Sequence, residues 1–206
     1  LCYDLVVKLN QCQSDFCGDR RPFPGAHLER KKRFLMLSKK MLQALNDQIN
    51  AEMYSSYIYL AMAAYLEDEN FPGFAHWMRM QADEETFHAM KFYDYIIERQ
   101  GRVKLAALDA PPEKWDSPLA AFQNAFEHEQ YISGRINDLV TLALKENDHA
   151  TNSFLQWFVD EQVEEEASVD KVVEDLKRVA DFPAGLFMMD RELGQRAPGA
   201  EEESAG

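Results

Sequence analysis

Beyond residue 17 the chain has no cysteine; Cys2, Cys12 and Cys17 are all it contains. A disulfide framework for the fold is therefore excluded, and a reducing compartment fits. Long apolar runs are also missing. No stretch reaches the about 18 apolar residues needed to span a bilayer, so no membrane partner is expected. The N-terminus shows no clear apolar stretch followed by a small-residue cleavage site, so no signal peptide is expected. Positive charge is scarce: residues 36–206 hold 15 Lys and Arg against 32 Asp and Glu, within a net charge of −14. A body this acidic repels polyanions, which excludes nucleic-acid binding, and it attracts cations. Hydrophobic residues make up 46% of the chain, enough for one globular domain with a real core.

What is present divides into a short foreign segment and a helical body. Residues 1–35 mix Cys, Pro and Gly and end in the basic run Arg30-Lys31-Lys32-Arg33. They read as an N-terminal extension, disordered or non-native, ahead of a domain spanning 36–194. Residues 195–206 read as a disordered acidic tail.

The body predicts four long helices and a short fifth. Ser38 is a good N-cap for a first helix reaching about Glu69. Asn70-Phe71-Pro72-Gly73 breaks the chain, and a second helix runs from about Pro72 to Gln100, with Gly101 as its stop. Ser117-Pro118 opens a third helix that reaches about Glu146. A fourth runs from about Ala150 to Ala180, and Pro183 and Gly185 set off a fifth at about Leu186 to Leu193. Helices of roughly 30 residues are about 45 Å long. Short turns make the first and last pairs antiparallel. The connection over 101–116 can reach about 50 Å when extended, the length of the bundle. The fold class is therefore all-α, an antiparallel four-helix bundle with one long crossover.

Steps of four and three trace an apolar seam along each helix. The first gives Leu45, Ile49, Glu52, Ser56, Tyr59, Ala63 and Leu66. The second gives Phe74, Met78, Gln81, Glu85, His88, Phe92 and Tyr95. The third gives Phe122, Phe126, Glu129, Ser133, Ile136, Val140 and Ala143, and the fourth Leu155, Phe158, Gln162, Glu165, Val169, Val172 and Leu176. Each core stripe is interrupted by a single glutamate. All four glutamates lie near the middle of their helices, so they meet at one level whichever way each helix points. Four buried carboxylates lose hydration and repel one another; they take up protons or surround cations. These seams contain no Lys or Arg. Two divalent metals would balance the charge, and His88, three residues after Glu85, adds a nitrogen ligand. One Glu from each of two helices with Glu-x-x-His motifs from the other two is the ligand pattern of di-iron carboxylate bundles. Here the second histidine is absent, because Ser168 follows Glu165 by three. Oxygen ligands with one imidazole suit Fe, Mn or Zn.

From Met36 to about Arg196 the chain resembles bacterial-type, non-haem ferritins. The matching stretches are Asn50-Ala-Glu-Met-Tyr-Ser-Ser, Ala82-Asp-Glu-Glu-Thr-Phe-His and Phe154-Leu-Gln-Trp-Phe-Val-Asp-Glu-Gln-Val-Glu-Glu-Glu. The resemblance implies a ferritin-like fold and a ferroxidase centre. Glu52, Glu85 and His88 would form its first iron site, with Glu85 bridging. Glu129 and Glu165 would complete the second, Gln162 would hydrogen-bond beside them, and Tyr59 would supply an electron. Glu84, Glu161 and Glu164 match a third iron site; by spacing alone they are ordinary acidic-face residues. The implied activity is oxidation of Fe(II) by O2 or H2O2 and storage of the ferric product as mineral inside a cytoplasmic shell of 24 subunits. A haem-containing bacterioferritin would carry Glu-x-x-His on the fourth helix as well, so no haem is expected. A rubrerythrin-like peroxidase needs paired Cys-x-x-Cys motifs, which Cys12 and Cys17 do not make. A purely structural shell subunit would have replaced the ligands.

Overall fold

A computed structural model of the protein describes residues 36–197. The extension expected at 1–35, and the tail from 198 onward, lie outside the described residues. Five helices follow one another: α1 (Lys39–Asp68), α2 (Pro72–Glu98), α3 (Pro118–Glu146), α4 (His149–Val179) and α5 (Pro183–Leu193). Ser38 and Ser117 accept from the backbone N–H of Met41 and Ala120, the capping expected from sequence. Asp148 caps α4 in the same way through Thr151.

Two chain ends differ from their sequence reading. Gly101 does not supply the left-handed residue that ends α2; Gln100 does, at φ 56°. Gly101 is required for closeness instead. A Cβ there would sit 2.8 Å from both Leu42 and Ile96 side-chain carbons, where α1 and α2 converge. The fifth helix starts at Pro183 and not at Leu186. Proline needs no intrahelical donor in a first turn, and Gly185 lets the new helix press on Val179 and Phe182.

α1 packs along α2 and α3 along α4, giving two hairpins. The crossover between them follows α1 from end to end. Asn46 accepts from the Lys104 N–H at 2.6 Å and donates to the Arg102 carbonyl, and Asn50 donates to the Ala107 carbonyl. At the far end the Trp115 ring lies 5.5 Å from that of Tyr65, and its indole N–H donates to Asn124. A connection running the bundle's length returns α3 parallel to α2, as the length argument requires.

The apolar interior forms two clusters. One holds Tyr59, Met62, Leu66, Phe74, Phe122, Val169 and Leu176. The other holds Met41, Leu45, Ile49, Phe92, Ile136, Leu155 and Phe158. The expected seams of α1, α2 and α4 are buried along their whole length. On α3 the stripe is rotated: Ala125, Ile132 and Leu139 are buried where Phe126, Ser133 and Val140 were expected, and those three are half-buried. Strict three-and-four steps from Phe122 reach the buried set, and Glu129 belongs to both phases.

α5 reaches back to the start of α2. Phe71 has no side chain able to cap that helix. Asp190 of α5 does so instead, accepting from the N–H groups of Gly73 and Phe74 at 2.8 and 2.9 Å. A Cβ on Gly73 would fall 1.6 Å from the Asp190 carbonyl oxygen. This contact brings the residues after α5 to the α2 surface. Arg196, expected in the tail, lies 4.5 Å over the Trp77 ring and bonds to α2 side chains. Any tail therefore begins later than residue 195.

Candidate metal centre

Between the two apolar clusters lies a polar layer built by one residue or more from each long helix. Glu52, Glu85, Glu129, Glu165 and His88 are all buried, none more than 5% exposed. Helical repeat explains the convergence: each glutamate occupies a core-facing position at the middle of its helix. Glu52, Glu85 and His88 each place a ligand atom within 4.8 Å of the others. His88 Nδ1 is 3.7 Å from Glu85 Oε2. His88, Glu161 and Glu165 form a second such group.

Hydrogen bonds account for part of this polarity. Glu52 Oε1 accepts from Gln48 at 2.8 Å. Glu129 accepts from the Tyr59 hydroxyl and, at 3.3 Å, from Gln162. Glu165 Oε2 accepts from Gln81 at 2.6 Å. Two buried oxygens remain without a partner, Glu52 Oε2 and Glu85 Oε2, and both belong to the group that contains His88. Left so, these oxygens are costly; a proton shared between the Glu52 and Glu85 carboxyls, or a cation between them, removes the cost.

The electrostatics agree. Burial pushes all four carboxyl groups above the usual carboxylate range. For Glu85 the shift is large, reinforced by Glu129, Glu52 and Glu165. Burial raises Glu52 as well, against the pull of His88. Glu129 is raised to about 7 and Glu165 to about 8, burial first in both cases. Tyr59 is held well above its ordinary value by burial and by Glu129. The metal-free layer is thus a store of protons that a cation can displace.

Of the residues expected at the two-metal centre, Glu52, Glu85 and His88 form one group and Glu165 belongs to the other; Glu129 is buried in the layer but belongs to neither. Of the three expected at a third site, Glu161 lies beside His88 and Glu165. Glu84 is turned to an ion pair with Arg196, and Glu164 is exposed. Sequence reasoning missed Gln48, Arg135, which donates to Gln48 at 2.9 Å, and Arg196, which donates to Gln81 at 2.9 Å. It also missed His128, half-buried, which hydrogen-bonds Ser55 at 2.8 Å and is lowered to about 4 by burial. Gln48 and His128 stand one helical step from seam positions, a weak signal. Nothing local marks the arginines.

Residues 42–179 match the ferritin-like domain family. The chain is a member of the ferritin family. It is 48% identical over 161 residues to the bacterial non-heme ferritin of Bacteroides fragilis (strain 638R), covering 78% of this chain and all of that one. The Staphylococcus aureus (strain MRSA252) bacterial non-heme ferritin is 42% identical over 161 residues, covering 78% of this chain and 97% of the relative. Among solved structures, an open pore ferritin from the hyperthermophilic archaeon Archaeoglobus fulgidus superposes with a TM-score of 0.78 at 52% identity, covering 78% of this chain and 98% of that one. Ferritins are iron-storage proteins, and the carboxylate layer of this ferritin is its candidate iron site.

Proposed function

We propose that this ferritin is a ferroxidase that binds two Fe(II) ions in the mid-bundle layer, oxidises them and passes the product to an internal mineral store. The observation that carries this reading is the pair of buried, unpartnered carboxylate oxygens on Glu52 and Glu85 beside His88. Glu52, Glu85 and His88 hold the first iron. Glu129 and Glu165 hold the second, and Glu85 bridges the two, the roles that the ferritin resemblance gives them. Tyr59 and Gln162 keep Glu129 oriented through their hydrogen bonds. The third iron position rests on resemblance; of its residues, Glu161 is the one grouped with the centre, while Glu84 and Glu164 stand apart from it.

Entry of each cation displaces protons from carboxyl groups whose affinity for them burial has raised. Two Fe(II) then give one electron each to O2, which takes up two protons and leaves as H2O2. With H2O2 as oxidant, the same two electrons and two protons give two water molecules. Fe(III) hydrolyses, releasing further protons, and moves to the store. The protein's contribution is to hold two irons together with open positions for oxidant.

Assembly into a 24-subunit shell in the cytoplasm completes the proposal. An exposed apolar face on and before α5, with Phe182, Phe187 and Met188 each more than 60% exposed, supports burial against other subunits. The cysteine-free body supports a reducing compartment. Among the described residues no helix is long and apolar enough to cross a membrane. Oxygen uptake on adding Fe(II), with anomalous diffraction at the iron edge from anaerobically soaked crystals, tests this. Rapid uptake and two irons between the helices are expected. Slow autoxidation alone, with no iron in the layer, would sink the proposal.

A further inference from the structure

Two buried glutamines, one on α1 and one on α2, donate to carboxylates of the centre, and each accepts from an arginine. On one side Arg135 Nε donates to Gln48 Oε1 at 2.9 Å, and Gln48 Nε2 donates to Glu52 Oε1 at 2.8 Å. On the other, Arg196 Nη1 donates to Gln81 Oε1 at 2.9 Å, and Gln81 Nε2 donates to Glu165 Oε2 at 2.6 Å. Gln48 is 1% exposed and Gln81 fully buried. The two relays thus serve one carboxylate from each half of the centre.

An amide can present either its oxygen or its NH2 to a neighbour. A guanidinium offers only donors, so it must meet the amide oxygen. That leaves the NH2 pointing at the glutamate, where it can only donate. A carboxylate accepts from it; a protonated carboxyl could otherwise have donated to a flipped amide. Each arginine is itself anchored. Arg135 also donates to the Asp47 carbonyl at 2.9 Å, and Arg196 pairs with Glu84 and lies over Trp77.

We propose that Arg135 and Arg196 are positioning residues of the metal centre, each locking one glutamine amide so that Glu52 and Glu165 are presented as oriented, hydrogen-bonded carboxylates. The C-terminal segment after α5, through Arg196, is then part of the iron-binding apparatus. This inference rests on the two-iron reading above. It runs against simple charge counting: deleting a nearby positive charge should tighten cation binding, whereas loss of a lock weakens it.

The test uses the full assembled chain, equilibrated anaerobically with limiting Fe(II), and reads occupancy at each position by anomalous diffraction. Arg196→Gln, which can present an oxygen, should lower iron at the Glu165 position by about tenfold or more, the size usual for losing an outer partner of a metal ligand. Arg135→Gln should do the same at the Glu52 position. Each should lower its own position more than the other, to which it is linked only through the proposed bridge Glu85 and the shared His88. Lysine at either place, again donor-only, should restore most of the loss. In a Gln81→Met background, Arg196→Gln should change nothing further at Glu165. Equal loss at both positions, no loss, or tighter binding would overturn the proposal. Neutron diffraction on the wild-type crystal reads the amides directly and needs no variant to fold; either amide oxygen facing its glutamate also overturns it. Absence of iron from both positions in the wild type would instead refute the two-iron reading itself.

Discussion

The two halves of the metal layer are built on different terms. The half with Glu52, Glu85 and His88 leaves two carboxylate oxygens buried and without partners. The half with Glu129 and Glu165 is furnished with three neutral donors, Tyr59, Gln162 and Gln81, against the one, Gln48, that reaches Glu52. Burial raises carboxyls in both halves, Glu85 strongly, so each half can hold protons until a cation displaces them; the donors on Glu129 and Glu165 pull those two back toward the carboxylate form. On the proposed two-iron reading, this difference suits one iron held firmly and a second that arrives and leaves. Ser168 stands where a second imidazole would be, so His88 alone is shared between the two ligand groups.

The comparison can be broken most severely at Glu85, the proposed bridge between the halves. Glu85→Ala should cut the initial rate of Fe(II)-dependent oxygen uptake by more than the about 10- to 100-fold typical of losing an outer ligand partner. A rate near wild type would remove its bridging role. Glu129→Ala touches the second half alone and should slow uptake by about tenfold, a tighter limit than for Glu85, while shell size by light scattering stays unchanged. Equal damage from both substitutions would erase the distinction between halves.

A third prediction concerns protons. Glu129 and Glu165 bind protons more tightly in the folded chain than at the ordinary carboxyl value of 4.5. The folded state therefore holds more protons than the unfolded one between that value and about 8, and stability must fall as pH rises through this window. In metal-free protein, the melting-temperature gap between wild type and Glu129→Gln should shift against wild type from about pH 5 to about pH 8. Excess Zn(II) should reverse the shift at the upper end, because the metal replaces the lost protons. A gap that does not move with pH would contradict the protonated resting layer.

Tyr59→Phe should have a smaller effect. It deprives Glu129 of a buried donor and should cost about 1–3 kcal/mol of metal-free stability in chemical denaturation. Loading with metal should shrink that cost, since a cation then satisfies the carboxylate. The smallest effect is expected outside the layer. Asn46→Ala removes the pins on the crossover and should cost about 1 kcal/mol by the same measurement, with or without metal. Dependence on metal at Asn46 would mean that the crossover, too, is coupled to the centre.

Much of this architecture was legible in the chain before folding. Ser38, Ser117 and the Asn70 turn mark helix ends locally, and the seams follow from a repeat that any helix obeys. Glu52, Glu85, Glu129 and Glu165 stood out because a charge on an apolar stripe at mid-helix is costly alone and sensible only in company. The α3 stripe was misplaced by one phase, because Phe126, Ser133 and Val140 tolerate half-burial and their sequence does not say which side faces in. The third-site set was drawn from likeness alone. In the structure Glu84 turns to Arg196, a partner 112 positions away that no local pattern could announce.

The amino-acid sequence by itself determined the helices, their order, the length of the crossover and the level at which the acids meet, since each follows from spacing along one chain. Only the tertiary structure decided which oxygens stay unpaired, which amides are locked, and that Asp190 caps α2 while Arg196 reaches its side. Those contacts join residues more than eighty positions apart. Their existence depends on packing in three dimensions, where hydrogen-bond geometry selects partners that periodicity cannot see.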